Sequence, residues 1–262
     1  MALDIDRYAH LGSPIQRWDP RFKIAALLLL ILAIALLKTL PMAAAALTVA
    51  IVILLIAALP MHFVWHGMTF ILVFLIPFFI VMPLTYPGEA AFRVLGLPFA
   101  LEGLRLAALI FMKALSIVMI SFAMFGSSRF DVSMLALQHL KCPRVLVQML
   151  LFTYRYTFVF LDEMERMYTS MQARGFIART DRRTLRVIGH FVGTLLVHSF
   201  ERTERIYKAM LSKGYQGELH SMVRFHSHTS DFIKAAVVLV LALALAIADM
   251  SGHFSLAEQA WF

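Results

Sequence analysis

Two stretches 39 residues apart share Glu, Arg, Tyr, Met and Gly at equivalent positions, with Arg/Lys and Phe/Tyr matched by type. The first reads Glu165-Arg166-Met167-Tyr168-Thr169-Ser170-Met171-Gln172-Ala173-Arg174-Gly175-Phe176. The second reads Glu204-Arg205-Ile206-Tyr207-Lys208-Ala209-Met210-Leu211-Ser212-Lys213-Gly214-Tyr215. Neither copy pairs a nucleophile with a base or spaces ligands for a metal. The chemistry on offer is recognition by a cation held at a helix end. Met164, Met167, Tyr168 and Met171 fall at i, i+3, i+4 and i+7, one face of a helix, and Ile206, Tyr207 and Met210 repeat most of it. Arg174 or Lys213 follows, where a cation suits the negative end of the helix dipole. Gly175 or Gly214 can then take the left-handed conformation that stops the helix. One such ending is ordinary capping. Two in equivalent places predict a pair of docking tips, with Ala173, Arg174, Gly175, Ser212, Lys213 and Gly214 at the contact. Met167, Tyr168, Met171, Ile206, Tyr207 and Met210 would supply adaptable apolar support against a partner's groove.

Other chemistry is sparse. The sequence has no GxSxG, no HExxH and no GxxxxGK[ST] phosphate loop, so neither hydrolysis nor ATP binding is expected on this chain. Cys142 is the single cysteine, which excludes an internal disulfide. His220, His226 and His228 cluster in a basic loop, but no Cys or carboxylate spacing completes a site. They read as a solvated loop, with no metal held. Lys113 and Arg155 interrupt apolar stretches. Lys113 would snorkel, bond to a neighbour such as Ser116 or touch a partner subunit, and Arg155 would be an interfacial anchor or a subunit contact.

The elements that must carry these groups are membrane elements. Of 262 residues, 61% are hydrophobic and 15% charged, more apolar surface than a soluble core of this size could hide. Apolar runs predict spans near 22–38, 41–59, 62–82, 100–125 and 232–248, with a kink at Pro77 and a loop marked by Pro83, Pro87, Gly88, Gly96 and Pro98. Between the last two lie a short amphipathic piece near 131–140 and two long helical patterns, 144–174 and 183–213. Each of those two begins apolar and ends charged. The expected fold is therefore all-α, a polytopic bundle of about five spans with two long cytoplasmic helices. Its regions would be 1–125, 126–231 and 232–262. Segment 125–231 holds fifteen of the 24 Lys and Arg, segment 1–23 holds four, and the tail from 249 holds none. This asymmetry predicts a cytoplasmic N-terminus, a cytoplasmic 126–231 and an outside C-terminus. The net charge of +8 is thus assigned to a membrane face and not to nucleic acid.

With its two tips, the chain resembles the transmembrane T component of energy-coupling factor (ECF) importers, in the cobalt/nickel, CbiQ-like branch. The residues that carry the resemblance are Ala173-Arg174-Gly175, the weaker Ser212-Lys213-Gly214 and the opening Ser13-Pro14-Ile15-Gln16-Arg17-Trp18-Asp19-Pro20-Arg21-Phe22-Lys23. The second tip departs from the Ala-Arg-Gly pattern, and Lys213 keeps the charge without the planar fork of arginine. The resemblance implies a non-catalytic scaffold in a bacterial inner membrane. Two cytosolic ABC ATPases, which would carry the ATP and Mg, would each receive one coupling tip. The motion would pass to a membrane component that binds cobalt or nickel. The rivals are a conventional ABC permease, which normally carries one coupling loop per subunit, and a membrane-bound metal enzyme, which would hold stoichiometric metal.

Overall fold

The computed structural model describes residues 13–85, 90–94, 97–217 and 228–259, with side chains over 13–85, 101–217 and 228–251. It is built of helices: α1 (Pro20–Leu36), α2 (Leu40–Ala57), α3 (Met61–Thr85), α4 (Leu101–Gly126), α5 (Phe130–His139), α6 (Arg144–Ala173), α7 (Arg182–Ser212) and α8 (Thr229–Gln259). Residues expected as a loop instead form a short antiparallel hairpin, β1 (Ala90–Val94) and β2 (Leu97–Ala100), with Phe92 opposite Phe99 and Arg93 opposite Pro98. In a two-stranded ribbon each strand is an edge, so Pro98 removes no interior ladder bond. The chain divides into two compact units, one holding α1 to α5, the hairpin and α8, the other holding α6 and α7.

α1 starts where Asp19 and Pro20 place it. The Asp19 carboxylate accepts the Arg21 N–H at 3.0 Å, and Pro20 fills the first helical position. Lys23, Leu27, Leu30 and Ile34, at i, i+4, i+7 and i+11, are almost wholly buried, while Leu28, Leu29, Leu32 and Leu36 stay exposed. α2 lines its inner face with Ala43, Ala46, Ala50 and Ala57, all fully buried, and packs on α4. Small residues of this kind let backbones approach closely where lipid offers no hydrophobic gain. A similar approach joins α3 to α4, where a Cβ on Gly103 would stand 2.6 Å from the Met82 carbonyl oxygen. α3 runs on through Pro77 and Pro83, past the expected end at 82. Membrane helices tolerate such prolines because neighbouring groups satisfy the freed carbonyls.

Five helices are long and apolar enough to cross a bilayer: α2, α3, α4, α6 and the Thr229–Ser251 part of α8. Four match predicted spans. The predicted first span, α1, has 17 residues, about 25 Å of rise, at the lower limit for a crossing. α6, expected as a long cytoplasmic helix that begins apolar, joins the set.

Polar bonds fasten the α1 bundle at both ends. At the α1 N-terminus, Trp18 Nε1 donates to the Asp231 carbonyl at 3.2 Å, Lys23 Nζ donates to Ser127 Oγ at 3.1 Å and to Ser128 Oγ, and Arg21 meets His139 at 3.1 Å. At the α1 C-terminus, the buried Asp249 carboxylate accepts the Lys38 and Thr39 N–H groups and the Thr39 hydroxyl at 2.7–3.1 Å. Beside it Lys113 Nζ donates to the Leu37 carbonyl at 2.8 Å. Lys113 thus caps α1, whereas Ser116, one of the neighbours considered for it, bonds the Met112 carbonyl. Trp18 pairs with Asp231 and Lys38 with Asp249, so α1 and α8 run in the same sense. Lys23 pairs with Ser127 and Leu37 with Lys113, so α4 runs opposite to both.

Candidate functional site

The two long helices end alike. α6 stops at Ala173 with Arg174 as its cap residue at φ −86°, ψ 10°, and α7 stops at Ser212 with Lys213 at φ −93°, ψ 10°. Gly175 and Gly214 follow at φ +82° and +81°, where a Cβ would be strained. The Phe176 N–H then donates to the Met171 carbonyl at 3.0 Å and the Gly175 N–H to the Gln172 carbonyl at 2.9 Å. On α7 the Tyr215 N–H reaches Met210 and the Gly214 N–H reaches Leu211, both at 3.0 Å. These are two Schellman caps with matching bonds.

The caps account for part of the repeat. Gly and the Met and aromatic positions five apart belong to the helix stop itself. Arg174 and Lys213 are not needed by it, because every capping bond is made by main chain. Their side chains stand on exposed residues, as do Ala173, Gly175, Ser212 and Gly214.

The structure does not bring the two triplets together. Gln148 near the start of α6 bonds the segment just past α7, accepting the Tyr215 hydroxyl at 3.1 Å and donating to the Gly217 carbonyl at 3.3 Å. Further along, Glu163 pairs with His198 at 3.5 Å. The helices therefore run in opposite senses where they meet. Arg174 lies eleven residues beyond Glu163, and Lys213 fifteen residues beyond His198 in the other direction. At 1.5 Å per residue the tips stand roughly 40 Å apart.

The supporting residues also differ between the copies. Ile206, Tyr207 and Met210 line a recess of about 310 Å³ with Phe152, Tyr156 and Phe160 of α6. Met167, Tyr168 and Met171 lie beyond that recess, with Tyr168 exposed and the two methionines half-buried. Identical spacing thus gives one stripe that faces the companion helix and one that does not. Sequence reasoning missed Gln148, whose polar amide in the apolar run Val145–Leu151 was the available signal.

Asp181 begins α7. Its carboxylate is held below its usual pKa by bonds from the Thr184 side chain and N–H, the latter at 2.7 Å. A depressed carboxylate contributes its stabilisation above the unfolded pKa and loses it as pH falls through the folded one. The α7 start is therefore firm at neutral pH. Of the three clustered histidines, His220 and His226 lie outside the described residues. His228 opens α8, its N–H donating to Asp231 at 3.1 Å. No group of three or more His, Cys, Asp or Glu poised for a metal occurs among the described residues.

Apolar helices of spanning length, fastened at both ends and joined to two long amphipathic helices with cationic caps, define a polytopic α-helical membrane protein. The cobalt transport protein family, CbiQ, matches residues 12–224. The chain belongs to that family. Over 110 residues it is 37% identical to the energy-coupling factor transporter transmembrane protein EcfT of Heliobacterium modesticaldum, a match covering 41% of each chain. It is 31% identical over 83 residues to the cobalt transport protein CbiQ of Rhodobacter capsulatus, covering 32% of this chain and 34% of that one. An uncharacterized protein of Methanocaldococcus jannaschii is 22% identical over 248 residues, covering 92% of this chain and 85% of the relative. The chain thus spans about two fifths of the EcfT relative and most of the archaeal one.

Proposed function

We propose that this chain is the non-catalytic transmembrane scaffold of an ATP-driven ECF-type importer for cobalt or nickel in a bacterial inner membrane. Arg174 and Lys213 would each seat in a groove of one of two cytosolic ABC ATPases. Those subunits would carry the ATP and Mg. α6 and α7 would pass their motion to a separate membrane component that binds the metal. The observation that carries this reading is the pair of matched, exposed cationic caps at opposite ends of an antiparallel helix pair. A separation of roughly 40 Å suits two separate receivers better than one composite site. Family membership supports the metal, and the absence of a phosphate-loop sequence agrees with ATP chemistry on other subunits. Affinity purification of the tagged chain from its own cells should yield two copies of nucleotide-binding subunit and one further membrane protein. Recovery of a self-sufficient homodimer with metal transport of its own would reject the reading in favour of a conventional permease.

The regions follow as 1–125 in the membrane, 126–231 at the cytoplasmic face and 232–262 returning through the membrane. The shared sense of α1 and α8 supports this. α2, α3 and α4 between them reverse direction three times. α8 then points with α1 only if α6 and α7 add an even number of crossings. A crossing by α6 alone would turn α8 around. The basic content of 126–231 favours none. Cysteines placed at Gln172 and Gln259 on a Cys142→Ser background should be labelled from opposite sides of the membrane, Gln172 from the cytoplasm. Labelling of both from one side would overturn the arrangement.

A further inference from the structure

The start of α7 is charged against its own helix. Arg182, Arg183 and Arg186 occupy its first turns, and no acidic residue is present in the first turn to offset them. Cations at this end oppose the helix dipole, so they do not stabilise α7. Arg179 is drawn to the same place, since its N–H donates to the Thr184 hydroxyl at 3.2 Å while the Thr184 N–H bonds Asp181. All four arginines are exposed. None of them enters an ion pair among the described residues. The one nearby acid, Asp181, is engaged in the helix cap.

Apolar side chains are set among these charges. Ile177 is 67% exposed and Leu185 72%. From Leu185 a stripe continues through Ile188, Val192, Leu196 and Phe200, all exposed. Their spacing of i, i+3, i+7, i+11 and i+15 puts them on one face over about 22 Å. Arg182 and Arg186 flank that stripe on one side.

We propose that this end of α7 docks on the anionic phospholipid surface of the membrane the chain spans, with Arg179, Arg182, Arg183 and Arg186 on headgroup phosphates and Leu185 and Ile188 among the upper acyl chains. An acidic groove on a protein would satisfy the arginines. A lipid interface satisfies the apolar residues beside them as well, offering phosphate and hydrocarbon within one side-chain length. The proposal rests on the inward placement of 126–231 and draws on neither Arg174 nor Lys213.

The test uses the full chain in nanodiscs of phosphatidylcholine, with or without phosphatidylglycerol, both carrying brominated acyl chains. A fluorophore on Leu185→Cys, in a Cys142→Ser background, should be quenched strongly in the phosphatidylglycerol discs and weakly in phosphatidylcholine. A fluorophore on Thr194→Cys, on the opposite face, should be quenched in neither. Each arginine near an anionic surface contributes about fivefold to binding. Arg182→Gln, Arg183→Gln and Arg186→Gln together should therefore shift the docking equilibrium about a hundredfold and abolish the difference between discs. Added salt should do the same. Equal quenching in both disc types, or quenching that survives the triple change, overturns the proposal. So does a triple variant that sheds its ATPase subunits with lipid contact intact, which would assign the arginines to a protein partner. Unaltered ATPase association in Arg174→Ala would instead remove the coupling reading and leave this one standing.

Discussion

Arg174→Ala combined with Lys213→Ala should abolish metal uptake while the protein still inserts in the membrane at its normal level. Truncating one partner of a partly desolvated charged contact costs about 2–5 kcal/mol. The two tips stand roughly 40 Å apart and would seat on different ATPase subunits, so their losses should add. Folding should be spared, because both helix stops are closed by main-chain bonds from Gly175, Phe176, Gly214 and Tyr215. Arg174→Glu should be worse than Arg174→Ala, since it sets like charge against an acidic groove. Lys213→Ala should be milder, because an ammonium forgoes the bidentate contact, and Lys213→Arg should be tolerated. Uptake of radioactive cobalt and recovery of ATPase subunits would be measured on equally expressed variants. Full uptake with a complete complement of ATPases in the double variant would end the case for these helix ends as coupling elements.

Asp249→Ala should destabilise the bundle by about 3 kcal/mol, at the lower end of the cost of removing one partner from a buried charged network. The side chain accepts from the Lys38 and Thr39 N–H groups and the Thr39 hydroxyl, where α1 gives way to α2. Its removal leaves those donors unpaired at a site that Thr39 and Asp249 bury, and takes away the negative charge that faces Lys113. Asp249→Asn keeps one acceptor oxygen and should lose less. Thermal unfolding of the purified protein in detergent would measure both. Melting of Asp249→Ala within error of the parent would show that this junction is held by packing alone.

The opening stretch that carries part of the family resemblance is largely a set of fasteners. Trp18 ties α1 to the start of α8, Asp19 caps α1, Arg21 reaches α5 and Lys23 reaches the end of α4. Lys23 stands immediately before the apolar run Ile24–Leu37, where a charge needs a specific partner. Which partner was not legible, because Ser127 lies 104 residues away.

The sequence by itself determined the start of α1 and the stops of α6 and α7. Asp19-Pro20 and the two Lys/Arg-Gly pairs are local capping chemistry, and local chemistry is readable from neighbours in the chain. It also determined that α6 and α7 differ in kind from the other helices, because their charges and apolar residues fall on a helical period. Tertiary structure alone decided which face of α1 is buried. Every residue from Ile24 to Leu37 is apolar, so no periodicity distinguishes Leu27, Leu30 and Ile34 from Leu28, Leu32 and Leu36. It likewise decided that two tips of matching sequence point away from each other, and that one apolar stripe lines a recess while its twin does not. Helix direction depends on pairings such as Gln148 with Tyr215 and Glu163 with His198, made between side chains tens of residues apart, and a repeat can specify its own cap without specifying what lies opposite.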